Sequence, residues 1–191
     1  MSLSRPLDDP DRAQARTAYE RGTAGYRGSL RTVNLHDKLG PRGVSAAELI
    51  AELDSEPGPV ELRVCSPGGA PDAALAIFGS MRRRLWPVRV VVDGWAASSA
   101  TIILMGATGG QAAATGGSLM MVHQPRVVDF SGTAADLQKA VRVLDMMDAE
   151  VARIYSKRTG ISAATWREAM RAERWFTADE AVAAGLVDYV L

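Results

Sequence analysis

Short apolar runs and longer amphipathic stretches follow one another from Val33 to the C-terminus, which predicts strands interleaved with helices. Ser45-Ala46-Ala47-Glu48 is a capping box ahead of Leu49, Ile50 and Leu53, so a helix begins at Ser45, and Pro57-Gly58-Pro59 stops it. Val60, Leu62 and Val64 then alternate with Glu61, Arg63 and Cys65 at strand period. After the turn Ser66-Pro67-Gly68-Gly69, a helical pattern runs from Asp72 with Leu75, Phe78 and Met81 on one face. Pro87 opens a second strand over residues 88–92, apolar enough for burial on both faces. Asp93-Gly94 reads as a turn into an apolar segment over 98–105. Residues 106–117 are small and loose, with room for one weak strand, and 119–122 form a third buried strand ending at His123-Gln124-Pro125.

A long helix is predicted over 133–158, with Leu137, Val141, Leu144, Val151 and Tyr155 at helical spacing and Gly160 as its stop. Ser162 caps a short helix holding Trp166 and Met170. Thr177-Ala178-Asp179-Glu180 is a second capping box, its helix ends at Gly185, and 186–191 read as a last strand. This order is an α/β pattern. Residues 1–33 lack a sustained period and read as a polar N-terminal arm, with one helical stretch around 13–20; residues 34–191 form one domain.

Composition narrows the function classes. The 191 residues are 47% hydrophobic and 23% charged, ordinary values for a folded domain. Basic and acidic side chains balance at 22 each, and the longest basic run is Arg82-Arg83-Arg84, which argues against nucleic acid as a partner. Cys65 is the only cysteine, so an internal disulfide and a zinc site of paired thiolates are excluded. The longest apolar run, 100–107, is far below the ~20 residues of a membrane span. The expectation is a soluble, cytoplasmic protein that uses no membrane and no metal. Two histidines, His36 and His123, limit where a general base can be found, and His36 sits on a polar stretch beside Asp37 and Lys38.

Three features carry candidate chemistry. Ser98 lies between a buried strand with small residues and an apolar helix, so its hydroxyl faces a helix N-terminus; taken alone, the segment reads as a serine cap before it reads as a nucleophile. Gly68-Gly69, right after a strand, frees backbone amides to approach a ligand oxygen, although a plain tight turn is the commoner use. The N–H groups of Gly69 and Ser99 are a plausible oxyanion pair. His123 ends an apolar strand, where it serves as a base or is held by a backbone carbonyl.

Together, Ser66-Pro67-Gly68-Gly69, Gly94-Trp95-Ala96-Ala97-Ser98 and Met121-Val122-His123-Gln124-Pro125 resemble the proteolytic subunit of the Clp protease family, in particular its phage-related branch. The stretch from Trp175 to Asp188 is similar to that family's C-terminal signature, and the resemblance covers 33–191. It implies a ClpP/crotonase-like fold of stacked β-β-α units with outer helices and a long oligomerisation helix. It implies a cofactor-free serine endopeptidase in which Ser98 is the nucleophile, His123 the base and Glu173 the third member. Gly69 and Ser99 supply the oxyanion hole, while Gly68, Ala70 and Pro125 touch the substrate, a peptide or unfolded protein. A homo-oligomer, as a heptamer or double ring, follows from the same resemblance.

Three positions and the N-terminal arm depart from the family pattern. Cys65 stands where asparagine is usual and reads as a small buried residue. Glu173 replaces aspartate. Pro71 removes an N–H donor from the stretch that runs alongside substrate in the family, which weakens strand addition. The arm lacks the axial-loop signature, so a partnership with an AAA+ unfoldase stays open. A non-catalytic assembly subunit and a capsid-maturation peptidase working without an ATPase are the alternatives. A crotonase-type acyl-CoA enzyme leaves the Ser98 and His123 combination idle, and a Ser–Lys signal-peptide peptidase is disfavoured because Lys38, Lys139 and Lys157 all lie outside the strand-end motifs.

Overall fold

A computed structural model describes Leu3 and residues 29–191. Seven strands and six helices alternate along this part of the chain. They are β1 (Arg31–Leu35), α1 (Ala46–Asp54), β2 (Val60–Ser66), α2 (Pro71–Arg83), β3 (Val88–Ala97), α3 (Ala100–Leu104) and β4 (Ala112–Ala114), followed by β5 (Leu119–Val122), α4 (Ala134–Thr159), α5 (Ala163–Arg171), β6 (Arg174–Thr177), α6 (Ala178–Ala184) and β7 (Tyr189–Val190). The strands form one sheet in the order β1-β2-β3-β4-β7, with β5 paired to both β3 and β6. Every pair is parallel except β5 with β6. The α/β class expected from the pattern holds.

Capping fixes the helix starts where the sequence places them. Ser45 with Glu48, Thr133 with Asp136, and Thr177 with Glu180 each exchange reciprocal side-chain and backbone bonds, and Ser162 accepts from the Thr165 N–H. Each such cap contributes about 1 kcal/mol to its helix. Gly160 and Gly185 close α4 and α6 in the left-handed conformation, with φ of 74° and 77°.

Several expectations change in the fold. Asp93-Gly94 does not end a strand: β3 runs through it to Ala97. The residues before it pair with β4 and those after it with β5, while the register to β2 shifts between Val64 and Ser66. Gly94 absorbs this change of partner with a φ of 100°. β1 starts at Arg31, inside the stretch read as an arm ending at 33, because its register to β2 begins at Arg31 opposite Val60. The helical stretch expected around 13–20 lies outside the described residues. In α2 the buried positions are Ala74, Ile77, Ser80 and Met81, so small Ala74 approaches the sheet while Leu75 and Phe78 are half-buried. β6 was not foreseen, and the last strand is only Tyr189–Val190.

Helix α4 is 26 residues, about 39 Å long, and its buried side chains (Asp148, Val151, Ala152, Ile154, Tyr155 and Thr159) all lie in its C-terminal half. Leu137 and Val141, which share the helical spacing of Val151 and Tyr155, are exposed, as are Val143 and Met146. Asp148 anchors the packed half through an ion pair to Arg167 at 2.7 Å. At the end of the same helix Arg158 pairs with Asp188 at 2.5 Å, and Asp188 accepts the Ala112 N–H at 2.9 Å, tying α4 to the sheet. Tyr155, Trp166 and Phe176 pack in sequence, with ring centroids 5.0 and 6.2 Å apart, and join α4, α5 and β6.

Candidate active site

The turn after β3 is built around an unusual backbone. Ser98 has a φ of 56°, in the left-handed region where a residue with a Cβ is uncommon. Its N–H donates to Met121 O at 2.8 Å, and its own carbonyl accepts from the Thr101 N–H at 3.0 Å and from the Thr101 hydroxyl at 2.5 Å. The Thr101 hydroxyl also meets the buried Tyr155 hydroxyl at 2.6 Å. Sheet pairing and the two hydroxyls therefore hold the turn from both sides, which offsets a strain of order 1–3 kcal/mol. Thr101 and Tyr155 were not recognised as part of this arrangement from sequence, since both look like ordinary members of apolar helix faces.

The cap reading of Ser98 fails. The N-cap position of α3 is Ser99, it makes no side-chain cap bond, and its hydroxyl donates to Gly69 O at 3.2 Å. With only five residues, α3 has little dipole to offer, so any anion at this turn meets individual N–H groups instead. Ser98 Oγ is free of capping and lies 2.6 Å from His123 Nε2.

His123 follows directly on β5, whose Met121 pairs with Ala97, so strand pairing alone brings imidazole and hydroxyl together. With Ser98 donating, the imidazole carries its proton on Nδ1, the atom facing Glu173. Burial, and then the positive charge of Arg126, push the His123 pKa below the ordinary imidazole value; the Glu173 carboxylate opposes them. The ring is thus a neutral acceptor at neutral pH.

Glu173 is placed differently. It sits between α5 and β6 with a φ of 48°, its N–H donating to Met170 O at 3.2 Å. Its Oε2 lies 3.6 Å from His123 Nδ1, longer than a well-formed hydrogen bond to the neutral ring, and 53% of the side chain is exposed against 10% for His123.

Gly68 and Gly69 are required by geometry. Both have positive φ, 84° and 141°. A Cβ on Gly68 would lie 2.5 Å from Ala97 O and 2.8 Å from Ser99 N, and one on Gly69 would lie 2.1 Å from Leu39 O. Gly68 spends its N–H on Ser66 Oγ and its carbonyl on Leu39, while the Ala70 N–H donates to Leu39 O. The N–H groups of Gly69 and Ser99 have no partner among the described residues.

A cleft of about 330 Å³ opens beside Ser98 and His123. Gly69, Ser99 and Pro125 line it together with Ile102, Met121, Val151 and Tyr155; Gly68 and Ala70 do not. Pro71 also lines it, but as the first residue of α2, where a missing N–H costs nothing. The weakened strand addition inferred from Pro71 has no basis in this geometry. Cys65 is half-buried rather than buried, with its sulfur near Gly94. Among the described residues no three His, Cys, Asp or Glu side chains group as a metal site, and no helix is long and apolar enough to cross a membrane.

The family model for Clp protease matches residues 41–191. The chain is 34% identical over 153 residues to the protein named ATP-dependent Clp protease proteolytic subunit 1 of Chlamydia abortus, covering 77% of this chain and 80% of that protein. It is likewise 34% identical to the proteolytic subunit 3 proteins of Streptomyces coelicolor and Rhodococcus jostii. Those matches span 155 and 162 residues, covering 81% and 85% of this chain and 71% and 79% of the relatives.

Proposed function

This chain belongs to the Clp protease family and is a serine-type peptidase; we propose that Ser98 is its nucleophile, His123 its general base and Glu173 the group that orients the imidazole. The observation that carries this reading is the 2.6 Å contact between Ser98 Oγ and His123 Nε2 on a left-handed turn beside an apolar cleft. As Ser98 Oγ bonds to the peptide carbonyl carbon, its proton passes to Nε2. The carbonyl oxygen takes the electron pair as an oxyanion, held by the N–H groups of Gly69 and Ser99. Each such donor supplies about 10²–10³ in rate. Collapse of the intermediate breaks the C–N bond, and the leaving amine takes the proton from Nε2. Water then attacks the acyl-Ser98 ester by the same route, with His123 as base, and returns the free serine. Pro125 bounds the substrate cleft, whereas Gly68 and Ala70 act behind it by fixing the Gly69 amide.

The protein works as a homo-oligomer, a heptamer or a double ring, that encloses a peptide or unfolded protein substrate. Support comes from the N-terminal half of α4 and the segment just before it, where Phe130, Leu137, Val141 and Met146 are exposed apolar side chains outside the substrate cleft. Likeness to subunits named ATP-dependent favours service to an ATP-driven unfoldase over capsid maturation without one. Placement in the phage-related branch rests on the quoted motifs alone. A fluorogenic dipeptide or tripeptide tests the chemistry: turnover by the wild-type chain that Ser98→Ala abolishes supports it. A purified oligomer with no turnover that Ser98→Ala can remove favours a non-catalytic assembly subunit.

A further inference from the structure

One charged side chain lines an otherwise apolar and neutral cleft. Around the Ser98 hydroxyl the walls are Ile102, Met121, Pro125, Val128, Val151 and other uncharged residues, and Arg126 is the one lining residue with a formal charge at neutral pH. Arg126 is exposed and has no ion-pair or hydrogen-bond partner among the described residues. Asp129, three residues on, does not pair with it, and what sets Arg126 apart from the other unpaired surface arginines is its place in the cleft wall beside Ser98 and His123. A guanidinium presents five donors in a fixed fork suited to carboxylate, and leaving it free at the mouth of a binding cleft makes it a receptor for an anionic group. Its field already reaches the reaction centre, since it is the second cause, after burial, of the lowered His123 pKa.

We propose that Arg126 is a specificity residue: its guanidinium captures a carboxylate of the substrate peptide at the cleft rim, so chains with an acidic group close to the scissile bond are cut preferentially. An extended peptide advances about 3.3 Å per residue, and an arginine side chain spans about two such steps, so the favoured carboxylate lies within about two residues of the cut. This rests on the proposed Ser98–His123 chemistry, because the cleft binds substrate only if that pair is the reaction centre. Binding a carboxylate there also neutralises the charge that depresses the His123 pKa. Bound acidic substrate therefore leaves the imidazole a stronger base than it is in the free enzyme.

The test uses the full-length oligomer and three matched sets of fluorogenic peptides. One set has an amidated C-terminus with glutamate scanned around an apolar residue at the cut. The second replaces each glutamate with glutamine, and the third ends in a free carboxylate two residues after the cut. The expected result is a kcat/KM for the glutamate peptides about three- to fivefold above their glutamine counterparts, falling as salt screens the pair. Arg126→Ala brings that ratio to one, and Arg126→Glu inverts it. In Arg126→Ala the acid limb of the kcat/KM profile on a glutamine peptide moves to higher pH, since a positive charge has left the imidazole. Arg126→Lys, which keeps the charge, leaves the limb in place, and the Arg126→Ala shift shrinks as salt screens the wild-type charge, neither of which follows from rehydration of the ring alone. A gain confined to the third set assigns the site to the chain-terminal carboxylate, and a gain in the first set assigns it to an acidic side chain. Ratios near one in both sets, while glutamine peptides are cut by a Ser98-dependent route, overturn the role of Arg126 and leave the catalytic assignment standing. Loss of all turnover on every peptide, shared by wild type and Ser98→Ala, fails the catalytic assignment instead.

Discussion

On the Nε2 side of His123 the contact to Ser98 measures 2.6 Å between groups held by paired strands, whereas on the Nδ1 side Glu173 stands 3.6 Å away with half its side chain in water. The first side is fixed by the Ala97–Met121 pairing, by the Ser98 N–H to Met121 O bond, and by Thr101 and Tyr155 on the Ser98 carbonyl. The second depends on one residue between α5 and β6 whose backbone makes a single bond to Met170 O. The rigid side belongs to the core and the loose side to the rim. On the proposed chemistry, the serine and imidazole already stand in contact for proton transfer, while the carboxylate that would orient the imidazole is adjustable. An exposed carboxylate keeps its rotamer freedom and its charge is screened, so its hold on the ring is weak.

The sharpest way to break this contrast is to remove the rigid side. Ser98→Ala and His123→Ala are each expected to lower kcat by about 10⁴-fold or more without changing the thermal unfolding midpoint by more than a few degrees. Steady-state kinetics with calorimetry check both. Next comes the support behind the turn. Gly68→Ala drives a Cβ to 2.5 Å from Ala97 O, so the turn has to move, and kcat/KM falls about 10²-fold with a lower unfolding midpoint.

The loose side predicts a smaller loss. Glu173→Gln is expected to lower kcat/KM by about 10- to 10²-fold, well short of the ~10⁴-fold that follows loss of a buried, hydrogen-bonded triad acid. A loss near ~10⁴-fold means that the carboxylate closes onto Nδ1 in the working enzyme, and the contrast is then a property of the resting state only. The pH profile adds a sign. The wild-type His123 pKa lies below the ordinary imidazole value, so kcat/KM holds through neutral pH and falls only as pH drops through that lowered pKa. Glu173 raises this pKa, so Glu173→Gln shifts the acid limb to still lower pH, opposite to Arg126→Ala. The smallest effects come from the second layer. Thr101→Val removes the hydroxyl from the Ser98 carbonyl and strands the Tyr155 phenol, costing about 1–3 kcal/mol of stability and a few-fold in kcat. Tyr155→Phe costs about 1 kcal/mol.

What the sequence made legible follows the same divide. Capping boxes at Ser45 and Thr177 and the left-handed stop at Gly160 are local signals, and the helices begin and end where those signals stand. Ser98 and His123 follow directly on β3 and β5, and Gly69 lies in the turn after β2; parallel pairing of these strands brings all three to the same end of the sheet, a proximity legible in the sequence from the strand-end motifs. Asp93-Gly94 misled because glycine serves a bulge within a strand as well as a turn, and only the change of partner from β4 to β5 tells them apart. Pro71 misled in the same manner, since a proline after an extended stretch also starts a helix. Thr101 and Tyr155 left no local trace. Their bond crosses 54 residues, and nothing in an apolar helical pattern marks which hydroxyl will find a partner. For Arg126 the clue was present, a cation just after His123-Gln124-Pro125, yet only the cleft shows that it stands unpaired beside the reacting groups.

The central claim, a serine activated by His123 on a prebuilt turn, is tested most directly by labelling the oligomer with a fluorophosphonate and mapping the adduct by mass spectrometry. The account predicts one adduct per chain on the peptide containing Ser98, at a rate cut by orders of magnitude in His123→Ala and by a much smaller factor in Glu173→Gln. An adduct on another serine, or equal labelling of Ser98 with and without His123, would contradict it.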